Sequence, residues 1–264
     1  MNELFQLHEG NSPLLINVPH AGTYVPPNIS ARMTPDANAL PDTDWRVPEL
    51  YPFADEVGAT LLVATHSRYV VDLNRSIDGK PLYAGQYETA VCPLETFTGE
   101  PLYAEGAEPS TKEIDVRIEK YWQPYHCEIH ALLNRLRQRF GFALLWDAHS
   151  IRTRVPRLFD GALPDLNFGT ASGRSCAPEL AARLLEVAAA SPYSAVLDGR
   201  FKGGFITRHY GRPRHNIHAV QMELTRQIYM SDDPPYTLHP ADAQRLSQTL
   251  RELIDAMLTF RSFA

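Results

Sequence analysis

The amino-acid sequence predicts an α/β fold: a single domain built on a central mixed, mostly parallel sheet with helices on its faces. Short apolar runs alternate along the chain with longer amphipathic stretches, the pattern of strand–helix units. The short runs are apolar at successive positions rather than at alternate ones, as strands covered on both faces are. The stretches rich in Pro and Gly fall where those runs end, at the edge of a sheet where open α/β proteins bind ligands.

In chain order, residues 14–18 (LLINV) and 60–64 (TLLVA) read as strands, as do 70–73, 143–146 and 219–224, each closed by polar, Gly or Pro residues. Residues 110–140 read as one long helix. Ile114, Ile118, Trp122, Ile129, Leu132 and Leu136 recur there at roughly helical spacing, and Pro124 demands a kink or break. Residues 177–190 and 240–260 are amphipathic helices, the second through Leu246, Leu250, Leu253 and Met257. Loops are expected at 19–27, 76–85, 153–173 and 203–214. No repeat or linker divides the 264 residues, so one domain spanning 1–264 is expected.

Hydrophobic residues make up 44% of the chain and charged residues 21%, a soluble globular composition. The net charge of −6 offers no general field for nucleic acid or an anionic membrane, so an anionic substrate requires a local cluster of arginines. Cys92, Cys127 and Cys176 are too scattered for a disulfide framework. The opening MNELFQLHEGNSPLL lacks the basic and apolar parts of a secretion signal, and no apolar run is long enough to span a bilayer. A cytoplasmic protein is expected.

Four strand ends carry polar side chains of chemical interest. His20 follows the first (INVPHAG), and Arg68, Asn74 and Arg75 flank the run at 70–73 (SRYVVDLNR). Asp147 and His149 close a third (LLWDAHS), and Gln221 and Glu223 interrupt the last (HAVQMEL). A carboxylate inside an apolar strand costs several kcal/mol unless it is paired or hydrogen-bonded. Strand alternation puts Gln221 and Glu223 on one face and Val220, Met222 and Leu224 on the other. Partial desolvation of Glu223 would raise its pKa and suit it to proton transfer; a strand-end Glu facing solvent or pairing with Arg226 is the structural alternative.

His20 and His149 are candidate metal ligands, needing one carboxylate to complete the three protein ligands of an open zinc site. Asp44, in LPDTDWRV, is the preferred third; Asp42 competes. Asp147, two residues before His149, is either that ligand or the acceptor that orients the imidazole. Arg75 beside Asn74, with Arg68 upstream, suits bidentate binding of a carboxylate, unless Arg75 pairs with Asp72 or Asp78. Arg208, in the Gly-rich stretch GGFITRHYG, and Arg212 just beyond it are further candidates. The GxSxG elbow, the GxxxxGKS/T phosphate loop, GxGxxG and HExxH are absent, which excludes those mechanisms.

Through NVPHAGTYVP (17–26), LPDTDWRVPELY (40–51), RYVVDLNR (68–75), WDAHSIR (146–152), GGFITRHYG (203–211) and QMELTRQIYM (221–230) the chain resembles the N-formylglutamate amidohydrolase family. That family is similar to the zinc carboxypeptidases and to the aspartoacylase/succinylglutamate desuccinylase group. The resemblance therefore implies a zinc-carboxypeptidase-like fold and one divalent metal, expected to be zinc. It also implies hydrolysis of N-formyl-L-glutamate to formate and L-glutamate, the closing step of a histidine-degradation route. His20 and His149 are implied as metal ligands, Asn74 and Arg75 as a clamp on one substrate carboxylate, and Glu223 as general base. Arg68, Arg208 or Arg212 is implied to meet the second carboxylate or the oxyanion. One departure stands out: Thr23 occupies the place where the relatives' His-x-x-Glu pair carries a second ligand, and Asp44 is the expected replacement. The rival readings are a hydrolase of another N-acyl amino acid and a metal-free small-acid binding protein.

Overall fold

A computed structural model describes residues 3–79 and 88–260. Its strands and helices are, in order, β1 (Phe5–His8), β2 (Leu14–Val18), α1 (Pro27–Ser30), α2 (Pro35–Asn38), β3 (Thr60–Ala64), α3 (Thr111–Arg117), α4 (Gln123–Phe140), β4 (Ala143–Ile151), β5 (Leu166–Gly169), α5 (Pro178–Ala190), β6 (Ala195–Leu197), α6 (Phe205–Tyr210), β7 (Ile217–Thr225) and α7 (Pro240–Thr259). Among the described residues seven strands form one mixed sheet, ordered β1-β3-β2-β4-β7-β5-β6. The four inner strands β3, β2, β4 and β7 are parallel, while β1 and β5 run antiparallel to their inner neighbours. The expected α/β architecture is the one observed.

Strand alternation divides the core between the two faces. Leu14, Ile16 and Val18 of β2, Leu144, Trp146 and Ala148 of β4, and Val220, Met222 and Leu224 of β7 pack with α5 and α7. Leu15, Ala143, Leu145, Ile217 and Ala219 face the other way, against α4. On this second face the apolar positions give way to polar ones toward the carboxyl ends: Asn17 on β2, Asp147 and His149 on β4, Gln221 and Glu223 on β7. One face stays apolar to the end while the other changes chemistry, and that change locates the site.

The helix expected over 110–140 is α3, a π-helical turn Ile118–Trp122, and α4 in succession. Ser110 caps its start by accepting from Glu113 N–H, and Gly141, at φ 84°, ends it. Proline has no N–H and its ring crowds the carbonyl one turn back; widening the turn, so that Gln123 N–H reaches Ile118 O, accommodates Pro124. Trp122, in the widened turn, donates from Nε1 to Arg75 O at 3.0 Å. The widened turn thus helps to fix a residue of the site.

The structure corrects several boundaries. Residues 70–73 are not a strand but a buried run of turns. Ser67 O accepts from Val70 N–H and Asp72 Oδ1 accepts from Asn74 N–H, so local acceptors satisfy backbone groups that a ladder would otherwise use. β4 and β7 run further than expected, and β1, β5 and β6 are additional. The expected loop at 153–173 contains β5, and that at 203–214 contains α6. The loop at 76–85 falls partly outside the described residues. No helix among the described residues is long and apolar enough to cross a membrane.

Candidate active site

Parallel pairing aligns the polar residues at the carboxyl ends. Asn17 of β2 stands opposite Asp147 of β4, which stands opposite Gln221 of β7, and one further pair brings His149 beside Glu223. Burying so many polar groups requires that they satisfy one another. Tyr125 donates to Asn17 Oδ1 at 2.6 Å, and Asn17 Nδ2 donates to Asp147 Oδ1 at 2.8 Å. Asp147 Oδ2 accepts from the Thr207 hydroxyl at 3.2 Å and lies 3.3 Å from His149 Nε2.

His20 leaves β2 through Pro19 on a turn that lies hard against the exit of β3. A Cβ on Gly22 would sit 2.4 Å from His66 O, so only glycine permits this approach. The imidazole is buried, with Nε2 2.8 Å from Asp72 Oδ1. Its Nδ1 is buried with no hydrogen-bond partner among the described residues. That atom is 3.7 Å from Asp44 Oδ2, and His149 Nδ1 is 3.0 Å from the same oxygen. The ligand atoms of His20, Asp44 and His149 all lie within 4.8 Å of one another.

Three features fit this group to a metal ion. Two imidazoles and a carboxylate are an open zinc-type donor set. The orphaned His20 Nδ1 points into the group, while the other nitrogen of each imidazole faces a carboxylate, Asp72 or Asp147, the arrangement that orients ligating histidines. Finally, burial opposes charge on His149, yet Asp147 and Asp44 outweigh it and hold the imidazole well above its usual range. The same field favours a cation. Asp44 itself stays ionised: burial pushes its carboxyl up, but the hydrogen bond from His149 and the nearby imidazoles of His149 and His20 bring it below the usual range.

Asp44 is placed by its backbone, whose N–H bonds His20 O at 3.0 Å. The preceding turn is held by Arg226, which donates to Pro41 O at 3.0 Å and Thr43 O at 2.5 Å. Arg226 therefore supports the aspartate loop rather than pairing with Glu223. Asp42 accepts from Tyr69 at 2.7 Å and from Phe97 N–H at 2.8 Å and does not belong to the three-residue group.

A cleft opens above these residues, lined by His20, Asp44, His149, Gln221, Glu223 and all of Arg68, Asn74 and Arg75. Burial raises the Glu223 carboxyl to about 8, with His149 and Arg68 opposing and Asp44 and Asp147 reinforcing. Gln221 accepts from Gly204 N–H at 2.7 Å through Oε1, which turns its Nε2 toward Glu223 Oε2 at 3.3 Å. Asn74 lies 3.1 Å from His149 Nε2 and accepts from Ile206 N–H at 2.8 Å. A Cβ on Gly204 would stand 2.4 Å from the Asn74 amide. Arg68 donates to Asp72 at 2.6 Å, and burial, which opposes charge, is overcome by Asp72, Asp44 and Asp42, so the guanidinium is firmly ionised.

The structure does not bring every expected residue to the cleft. Arg208, on α6, donates to Gly203 O at 2.7 Å, and Arg212 donates to His209 O at 3.1 Å beside a separate groove with His130 and Arg137. Neither lines the cleft. Arg200 does, although it follows β6, a strand with no clear pattern in the sequence. Nor did sequence reasoning identify Asp72 as the partner of His20, because its run read as a strand.

Fold and site together define the class: an α/β protein with a metal-competent two-histidine, one-aspartate group and a buried carboxylate at the carboxyl edge of its sheet. The model of the N-formylglutamate amidohydrolase family matches residues 12–230, and the chain belongs to that family. It is 49% identical over 261 residues to an N-formylglutamate deformylase of Pseudomonas putida, covering 98% of this chain and 97% of the relative. It is 51% identical over 261 residues to one of Pseudomonas aeruginosa, covering 98% of each. The crystal structure of an N-formylglutamate amidohydrolase from Ralstonia eutropha JMP134 shares the fold, with TM-score 0.76, 24% identity and coverage of 97% of this chain and 99% of that one. A structure from Agrobacterium tumefaciens does so at TM-score 0.73 and 15% identity, covering 98% of this chain and 96% of that one.

Proposed function

We propose that this chain, acting as one catalytic domain, hydrolyses N-formyl-L-glutamate to formate and L-glutamate as a metal-dependent, cytoplasmic amidohydrolase that closes a histidine-degradation route. The observation that carries the reading is the meeting of the His20–Asp44–His149 group, Glu223 and the Asn74–Arg75 pair in one cleft, in a chain half identical to N-formylglutamate deformylases. A divalent ion held by His20, Asp44 and His149, zinc by its donor set, would polarise the formyl carbonyl and acidify a water.

The chain's own residues do the rest. Asn74 and Arg75 clamp the substrate's α-carboxylate and aim the amide. Glu223 Oε2 is held by Gln221, and the other oxygen takes a proton from the attacking water. The water oxygen bonds to the formyl carbon, the C–N bond breaks, and Glu223 returns the proton to the departing amine. A carboxyl raised to about 8 and drawn down by a nearby cation exchanges protons near neutrality. Arg68, ionised and fixed on Asp72, offers charge to the developing oxyanion. Formate release from N-formyl-L-glutamate, measured with purified protein before and after chelation, tests the reading.

A further inference from the structure

Arg200 lines the cleft together with Arg68 and Arg75. Its Nε–H donates to Leu158 O at 2.6 Å, and its Cζ stands 5.2 Å from the centre of the Phe201 ring. The side chain is thus braced along one edge and over one face. Leu158 and Phe201 pack on a small apolar cluster of Phe97, Ile151, Val155 and Leu163, separate from the two clusters that cover the sheet. Arg200 lines the cleft on the side of this apolar cluster and is half-buried, as Arg75 is, whereas Arg68, Asn74 and His149 are buried.

The three arginines are therefore not equivalent. The charge of Arg68 is offset by Asp72 at 2.6 Å and Asp44 at 3.9 Å. Arg75 donates to Asn74 O at 3.1 Å and to Thr89 O at 3.0 Å, and the Asn74 amide touches His149, so Arg75 is tied to the residues beside which the amide must react. In an N-acyl amino acid the α-carboxylate lies one carbon from the scissile nitrogen, and the side-chain carboxylate of glutamate lies two carbons beyond the α-carbon. The Asn74–Arg75 pair, joined to His149, suits the first, and Arg200, held on a separate apolar cluster, suits the second. Asp44, Glu88 and Glu223 also line the cleft, so a second negative charge on the substrate is tolerable only beside a cation.

We propose that Arg200 binds the side-chain carboxylate of the substrate and so makes the cleft selective for N-acylated dicarboxylic amino acids over those with neutral side chains. The proposal rests on the deformylase reading. Steady-state kinetics on N-formyl-L-glutamate and N-formyl-L-glutamine, which differ in that charge, would be measured for the wild type, Arg200→Met and Arg200→Lys, with thermal melts to verify folding. Arg200→Met lowers the glutamate-to-glutamine ratio of kcat/KM by roughly 10- to 100-fold, mainly through KM, the worth of one charged hydrogen-bonded pair. Arg200→Lys retains part of the ratio, and binding of the product L-glutamate, measured by calorimetry, weakens in parallel. Arg75→Met, by contrast, lowers both substrates alike, because both carry the α-carboxylate. Equal losses on the two substrates in Arg200→Met, or a wild type that does not distinguish them, overturn the proposal. A wild type that hydrolyses neither substrate overturns the deformylase reading and this proposal with it, and is seen before any variant is compared.

Discussion

Replacing Glu223 by Gln removes a carboxyl whose charge is costly to hold, first because it is buried and then because Asp44 and Asp147 stand near it. Burial raises the carboxyl from its ordinary 4.5 to about 8. The folded state therefore binds this proton more tightly than the unfolded chain does. The stability it contributes is full below about 4.5 and is lost as the pH rises through about 8. At about 1.4 kcal/mol per unit, metal-free wild type should lose roughly 3 kcal/mol from this one group between pH 5 and pH 7. Glu223→Gln keeps the acceptor for Gln221 and loses the titration. Urea denaturation of chelated wild type and Glu223→Gln at those two pH values should show the variant gaining on the wild type by about that amount. Saturating divalent metal should shrink the gap, because a cation beside the carboxylate offsets the cost. A gap that does not change with pH would refute the reasoning. The same variant should bind metal normally and release no formate.

Asp44→Ala should strip the metal, whereas Asp42→Ala should keep it, as elemental analysis of the two purified proteins would show. Asp72→Asn removes the buried partner of both His20 and Arg68; it should cost about 3–5 kcal/mol in denaturation and weaken metal binding by roughly 10- to 100-fold. Gly204→Ala must push the Asn74 amide aside, so kcat/KM should fall at least about tenfold with a near-native melt, given how steeply rate depends on positioning.

The sheet was legible because its central strands are apolar on both faces, and the site because polar residues interrupt them at one end. Gln221 and Glu223 show the principle: alternation alone places them together, and the structure has them in contact. The stretch at 70–73 reads as a strand for the same reason, since a buried irregular segment is as apolar as a buried strand, and turn carbonyls together with the side chains of Ser67 and Asp72 replace the ladder. Residue types and chain order do not encode which arginines converge. Arg208 and Arg212 lie close to a motif yet point elsewhere, while Arg200 reaches the cleft from a loop supported by contacts distant in sequence.

The most direct test of the central claim is formate release from N-formyl-L-glutamate by one protein preparation, followed through chelation and re-addition of single divalent metals. Metal-free protein should be inactive, zinc should restore turnover, and N-acetyl- and N-succinyl-L-glutamate should be poor substrates throughout. Undiminished activity in protein shown to be metal-free, or equal rates on the larger acyl groups, would contradict the account.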